Sequence, residues 1–159
     1  MKKIFTGIAA ISFLIYIFVI FNLLFMGFRY SGAGFININS FALNSNIIPF
    51  RTILSYVSVI LNTNMNNGIA MRNLIGNLFL LFPLGFYLPF FIRKMGNVKI
   101  YILSVSVLII VIEVMQFITG RGILDIDDFI LNFAGAMIGF VIFFVFKKML
   151  TKRENIRSN

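Results

Sequence analysis

The sequence predicts an all-α integral membrane bundle of four transmembrane helices, with a short interfacial or re-entrant helix in the first outward loop. Composition is the first reason: 60% of the 159 residues are apolar and 12% charged, whereas soluble domains carry about 25% charged residues. The second is the presence of four apolar runs long enough to cross a bilayer, which takes about 20 residues. The third is the placement of the basic side chains. Lys2 and Lys3, Arg93, Lys94 and Lys99, and Lys147, Lys148, Lys152, Arg153 and Arg157 flank the runs on one side. Arg29, Arg51, Arg72 and Arg121 fall in the alternate segments. This asymmetry marks an even number of spans with both termini in the cytoplasm. It also accounts for the net charge of +9 without a nucleic-acid partner.

The first span runs from Ile4 to Met26. A signal peptide is the rival reading, but the apolar run exceeds an h-region of about 7–15 residues and no small-residue cleavage site follows cleanly. It therefore reads as a retained helix. The second span, about Leu74 to Ile92, contains Pro83 and Gly85, and a kink is expected there. The third runs from Ile100 to Ile118 and the fourth from Phe129 to Phe146. In the fourth, Gly135 and Gly139 supply the small-x-x-x-small spacing that lets two helix backbones approach. One membrane domain covers residues 1–150, and residues 151–159 form a basic cytoplasmic tail. Between the first two spans, "NIIPFRTILSYVSVIL" reads as a turn at Pro49 and then a helix too short to span. Ile53, Leu54, Val57, Ile60 and Leu61 fall on one of its sides, with Ser55, Ser58 and Asn62 on the other, the pattern of a helix lying in the membrane interface.

The chemistry available is limited by what is missing. Without Cys or His there are no thiol nucleophiles, disulfides, Cys/His metal sites or His-activated hydroxyls. Four of the five acidic residues, Glu113, Asp125, Asp127 and Asp128, sit within sixteen positions. Glu113 lies inside the third span, roughly 8 Å below its outer end at about 1.5 Å per residue. Gln116, three residues on, shares its face. Asp128 and Asn132 are four apart at the start of the fourth helix, and Asn73 and Asn77 are four apart at the start of the second. Groups that are costly to desolvate turn inward and pair. Arg51, Arg72, Asn73, Asn77, Glu113, Gln116, Arg121, Asp125, Asp128 and Asn132 are thus candidates for one outward-opening polar pocket, with the arginines as counter-charges. Plainer roles compete: Asp127 or Asp128 capping the fourth helix, the asparagines as interhelical glue, and Glu113 locked to an arginine. "DIDD" lacks the glycine and terminal glutamate of a calcium loop, so no metal is expected, and no other cofactor.

Three blocks, "NIIPFRTI" (46–53), "NLIGNLFLLFPLGFYLP" (73–89) and "EVMQFITGRGILDIDDFILNFAGAMIG" (113–139), resemble the VanZ-like family of small bacterial membrane proteins. The last is the specific one: an acid and Gln three apart, then Arg, an acidic run, Asn four after the last acid, and a glycine-spaced helix. The resemblance implies a multi-pass protein of the bacterial plasma membrane that contributes to resistance against teicoplanin-type glycopeptides or, more broadly, acts in the cell envelope. Besides the lipid bilayer, the expected partner is a lipid-linked or polymeric cell-wall component or a glycopeptide. A membrane enzyme acting on a lipid-linked envelope intermediate is the alternative, with Glu113 or Asp128 as catalytic candidate and Glu113 as general acid or base. A third reading has the glycine-spaced face of the fourth helix recruiting a partner helix.

Overall fold

The structure, a computed structural model, describes residues 2–26, 45–62 and 67–157. It contains α1 (Lys2–Phe21), which closes on a π turn (Asn22–Met26); α2 (Arg51–Leu61); α3 (Gly68–Leu80); α4 (Leu84–Phe91); a 3-10 turn (Arg93–Gly96); α5 (Val98–Ile118); and α6 (Ile126–Arg157). Among the described residues, four stretches are long and apolar enough to cross a membrane: Lys3–Met26, Gly68–Phe91, Val98–Ile118 and Ile126–Thr151. The fold class is as the sequence predicts. The spans are longer than the apolar runs, because polar residues at their ends are helical too. Arg72 and Asn73 belong to α3, and Asp127 and Asp128 occupy the first turn of α6, where acids suit the exposed N–H groups. α6 continues into the basic tail.

The second span is broken where the proline predicts. Pro83 has no N–H and its ring excludes the carbonyl of the preceding turn, so α3 stops at Leu80 and α4 begins at Leu84. Across the break the N–H groups of Leu84 and Gly85 donate to Leu81 and Phe82 three residues back, each at 3.0 Å. The Leu80 carbonyl accepts instead from the Tyr16 hydroxyl of α1, at 2.8 Å. A kink in apolar surroundings survives only if freed groups find such partners. Tyr16→Phe keeps the ring against Phe13 and Tyr87 but leaves that carbonyl without the hydroxyl. A loss of about 1 kcal/mol is expected, measurable by thermal unfolding in detergent.

The core gathers at this kink. Leu81 and Leu84 pack with Tyr101, Val105 and Ile109 of α5 and with Ala136 and Phe140 of α6. Tyr101 is fully buried, its ring 4.3 Å from that of Phe140 and its hydroxyl donating to the Ala136 carbonyl at 3.0 Å. α6 meets the second span backbone to backbone. A methyl group added at Gly135 would fall on the Leu78 carbonyl oxygen, one at Gly139 on the Phe82 carbonyl oxygen, and one at Gly85 on the backbone of Gly139 and Phe140. The glycine-spaced face is therefore covered by the chain's own second span. α1 is peripheral: Phe13, Tyr16 and Ile20 touch the core, while Ile4, Ile8, Ile11, Leu14 and Phe18 are exposed. That apolar surface suits contact with lipid.

Candidate functional site

The two ends of the bundle differ chemically. One carries Lys3 and, through Phe5 against Phe90 and Gly96 against Phe144, the Arg93–Gly96 turn and Lys147. The other gathers the end of α1, all of α2, the starts of α3 and α6, and the end of α5. Three segments are joined there by hydrogen bonds between residues as far as 79 positions apart.

The joint centres on Asp125 and Asp127. Segment 45–50 lies beside 124–126 as a one-residue parallel bridge, the Asn46 N–H donating to the Leu124 carbonyl (2.8 Å) and the Ile126 N–H to the Asn46 carbonyl (2.9 Å). Asp125 caps α6, accepting from the Asp127 N–H at 2.9 Å, and also accepts from Asn46 Nδ2 (2.9 Å) and Thr52 Oγ1 (2.7 Å). Asp127 is fully buried. Its carboxylate accepts from the backbone N–H groups of Phe50 (2.5 Å), Thr52 (2.7 Å) and Ile53 (3.1 Å). It thereby caps α2, a helix 75 residues away in the chain. The expectation that Asp127 or Asp128 caps its own helix is corrected. An N-cap must precede the first helical residue, and Asp125 holds that position. Phe50 completes the turn in the left-handed region, φ 67°, a conformation that costs a non-glycine residue about 1–2 kcal/mol, and its N–H bond to Asp127 holds it there.

Asp128 points the other way, accepting from Asn77 Nδ2 of α3, while its backbone carbonyl accepts from Asn132 Nδ2 at 2.9 Å. Below it, Asn77, Glu113, Gln116 and Asn132 line one cavity with Leu24, Leu80, Leu81, Ile109 and Ile112. All four polar residues are buried, none more than 8% exposed. The reason is register: Tyr101, Val105, Ile109 and Glu113 recur every fourth residue on the inward face of α5, as Asn132, Ala136 and Phe140 do on α6. Gln116 Nε2 reaches the Leu24 carbonyl in the π turn, at 3.4 Å. The cavity offers about 10 Å³ to a water-sized molecule, room for roughly one water. α5 then ends in a Schellman turn: Gly120 takes φ 64°, with Gly120 N–H donating to Phe117 and Arg121 N–H to Gln116, which lets the chain reverse toward Asp125.

A comparison with protein families matches residues 13–147 to VanZ/LLP1. The chain belongs to the VanZ/LLP1 family. Neither a curated protein nor a solved structure matches it. The matched region, from the middle of α1 into α6, takes in every described residue of the polar end.

Not every VanZ/LLP1 residue singled out from the sequence enters the cavity. Asn77, Glu113, Gln116 and Asn132 do, and Asp128 sits beside them on Asn77. Asn73, one turn up, instead donates to the Tyr56 hydroxyl at 3.1 Å and ties α3 to α2. The arginines are elsewhere. Arg51 is exposed at the start of α2, Arg72 is exposed with Nε on the Gly68 carbonyl (2.9 Å), and Arg121 is a half-exposed turn residue. Among the described residues none of the three forms an ion pair with an acid. Asp125 and Asp127 are satisfied by N–H and hydroxyl donors, which reach them without a second charge having to be desolvated. Arg29 lies outside the described residues. Sequence reading missed Asn46, Thr52 and Tyr16 as partners, and Gly85 as a packing residue. The spacing of Gly85 to Pro83 suggested only a kink, and Asn46 and Thr52 stand in the "NIIPFRTI" block with no acid near them in sequence.

Proposed function

We propose that this VanZ/LLP1 protein acts in the cell envelope of a bacterium, contributing to tolerance of teicoplanin-type glycopeptides, with the polar end of the bundle facing outward. The observation that carries the reading is the convergence of three spans, segment 45–62 and the 119–125 turn at one end, opposite the end that holds Lys3, Arg93, Lys94 and Lys147. By the positive-inside rule the lysine-rich end is cytoplasmic. Among the described residues, the docked segment 45–61 is then part of the outer surface, and the apolar side chains of Ile47, Phe50, Leu54 and Leu61 are exposed on it, suited to the membrane interface where lipid-linked envelope components present themselves. The cavity is too small for a sugar or a lipid headgroup, so recognition falls to this outer surface and the cavity supports it from beneath. That size also weighs against the catalytic alternative, in which Glu113 would have to reach a substrate atom directly.

Expression in a susceptible Gram-positive host is expected to raise the minimal inhibitory concentration of teicoplanin by more than one doubling step. Glu113→Gln and Asp128→Asn are expected to remove the gain at unchanged protein level in the membrane. An unaltered inhibitory concentration with the wild-type protein would end the resistance reading. A new or depleted lipid-linked species in the overexpressing cells would favour the enzyme.

A further inference from the structure

The basic side chains of the two ends differ in kind as well as in number. No lysine occurs between Lys3 and Lys94 or between Lys99 and Lys147. The cations of the polar end are Arg51, Arg72 and Arg121, and Arg29 stands in a segment outside the described residues. A cation needed only for its charge at a membrane interface could be lysine or arginine, whereas the planar guanidinium fork fits phosphate oxygens two at a time. The three described arginines surround α2. Arg51 opens it, Arg72 precedes the asparagine that bonds Tyr56, and Arg121 lies on the turn that leads to the Leu124 bridge with Asn46.

Their donors are open to a ligand. Among the described residues the side chains of Arg51 and Arg121 have no partner, and Arg72 uses only Nε, on the Gly68 carbonyl. The acids of this end are turned elsewhere: Asp125, Asp127 and Glu113 are buried, and Asp128 accepts from Asn77. Segments 27–44 and 63–66 contain no Asp or Glu. Beside Arg51, the side chains of Ile47, Ile48, Phe50 and Leu54 are each more than half exposed. A dissolved anion would need the guanidinium groups alone. Guanidinium donors next to bare apolar side chains fit an anion that carries a hydrocarbon chain.

We infer that Arg51, Arg72 and Arg121 hold the phosphate of an anionic lipid headgroup at the outer end of the bundle, with its hydrocarbon chain along Ile47, Phe50 and Leu54. The inference rests on the reading that recognition falls to the outer surface, and it names the ligand class. Asp125 and Asp127 serve it by fixing the segment that carries Arg51.

The test uses the full chain purified in a neutral detergent, with binding read by native mass spectrometry. The probes are dioleoyl phosphatidic acid, dioleoyl phosphatidylcholine and inorganic phosphate. The lysine-rich end also attracts anionic lipid, so the decisive comparison is a triple variant, Arg51→Lys with Arg72→Lys and Arg121→Lys, which keeps every charge. The wild-type protein is expected to bind one phosphatidic acid saturably, about tenfold more tightly than the variant does. Phosphatidylcholine, whose phosphate is offset by its own cation, should bind more weakly, and inorganic phosphate in large excess should not displace the lipid. Equal binding of phosphatidic acid by the two proteins would overturn the inference. So would equal binding of the two lipids by the wild-type protein, or displacement by inorganic phosphate, and neither of these results needs a variant to fold. Binding is read on the isolated protein, so its failure leaves glycopeptide tolerance standing, and an unaltered inhibitory concentration ends the tolerance reading without changing what binds.

Discussion

Asp127→Ala is expected to destabilise the protein by about 3 kcal/mol or more, among the largest effects of any polar substitution in it. The carboxylate is fully buried and takes three backbone N–H groups from the start of α2. Charged acceptors give the stronger hydrogen bonds, and every buried donor left unpaired adds about 1–3 kcal/mol. The first turn of a helix has no internal partners for these groups, so α2 has no substitute. Phe50 would also lose the bond that holds its left-handed turn. Asp127→Asn keeps one acceptor oxygen and should cost about half as much. Thermal unfolding in detergent gives the magnitude, and hydrogen exchange gives the place: protection should fall across residues 46–62 before it falls in α5. Uniform loss across all helices would show that Asp127 serves the bundle generally and not the docking of α2.

Gly135→Ala is the second large effect, expected at about 3 kcal/mol or above, the top of the range for overpacking. The added methyl group meets the Leu78 carbonyl oxygen, which is backbone and cannot rotate away. Relief requires α6 to move off the second span, and that opens the contact that Gly139 and Gly85 make one turn further on. Lower yield of folded protein and a lower melting temperature are expected together. Gly76→Ala provides the comparison, since a methyl group there meets nothing within 4 Å. It should be neutral or stabilise by up to about 1 kcal/mol through helix propensity. Equal melting temperatures for the two variants would contradict the close approach of α6 and α3.

The spans and the kink were legible because lipid-crossing length and proline chemistry are local properties. The inward turn of Glu113 was legible as well, since a carboxylate inside an apolar span is too costly to leave against lipid, and the residue is buried. The inner face of α2 was not. Thr52, Ile53, Tyr56, Val59 and Ile60 are its half-buried side, whereas Leu54, Val57 and Leu61, grouped with the apolar face by periodicity, are exposed. At a membrane interface an exposed leucine is well solvated, so hydropathy no longer tells inside from outside. Nor could the sequence reveal that the acids at 125 and 127 serve residues 46–53. A carboxylate that accepts from distant backbone N–H groups has no charged partner to advertise it, which is why arginines were expected in that role. The same holds for Tyr16, whose acceptor is a carbonyl freed by a proline 67 positions later.

The role proposed for the polar end of the bundle requires that it face out of the cell. The chain has no cysteine, so a single cysteine reports on one place. Ile123→Cys sits in the exposed turn of the polar end, and Lys94→Cys on the opposite end. In intact cells a membrane-impermeant maleimide is expected to label position 123 fully, and position 94 only after the membrane is permeabilised. Labelling of position 94 but not 123 in intact cells would contradict it.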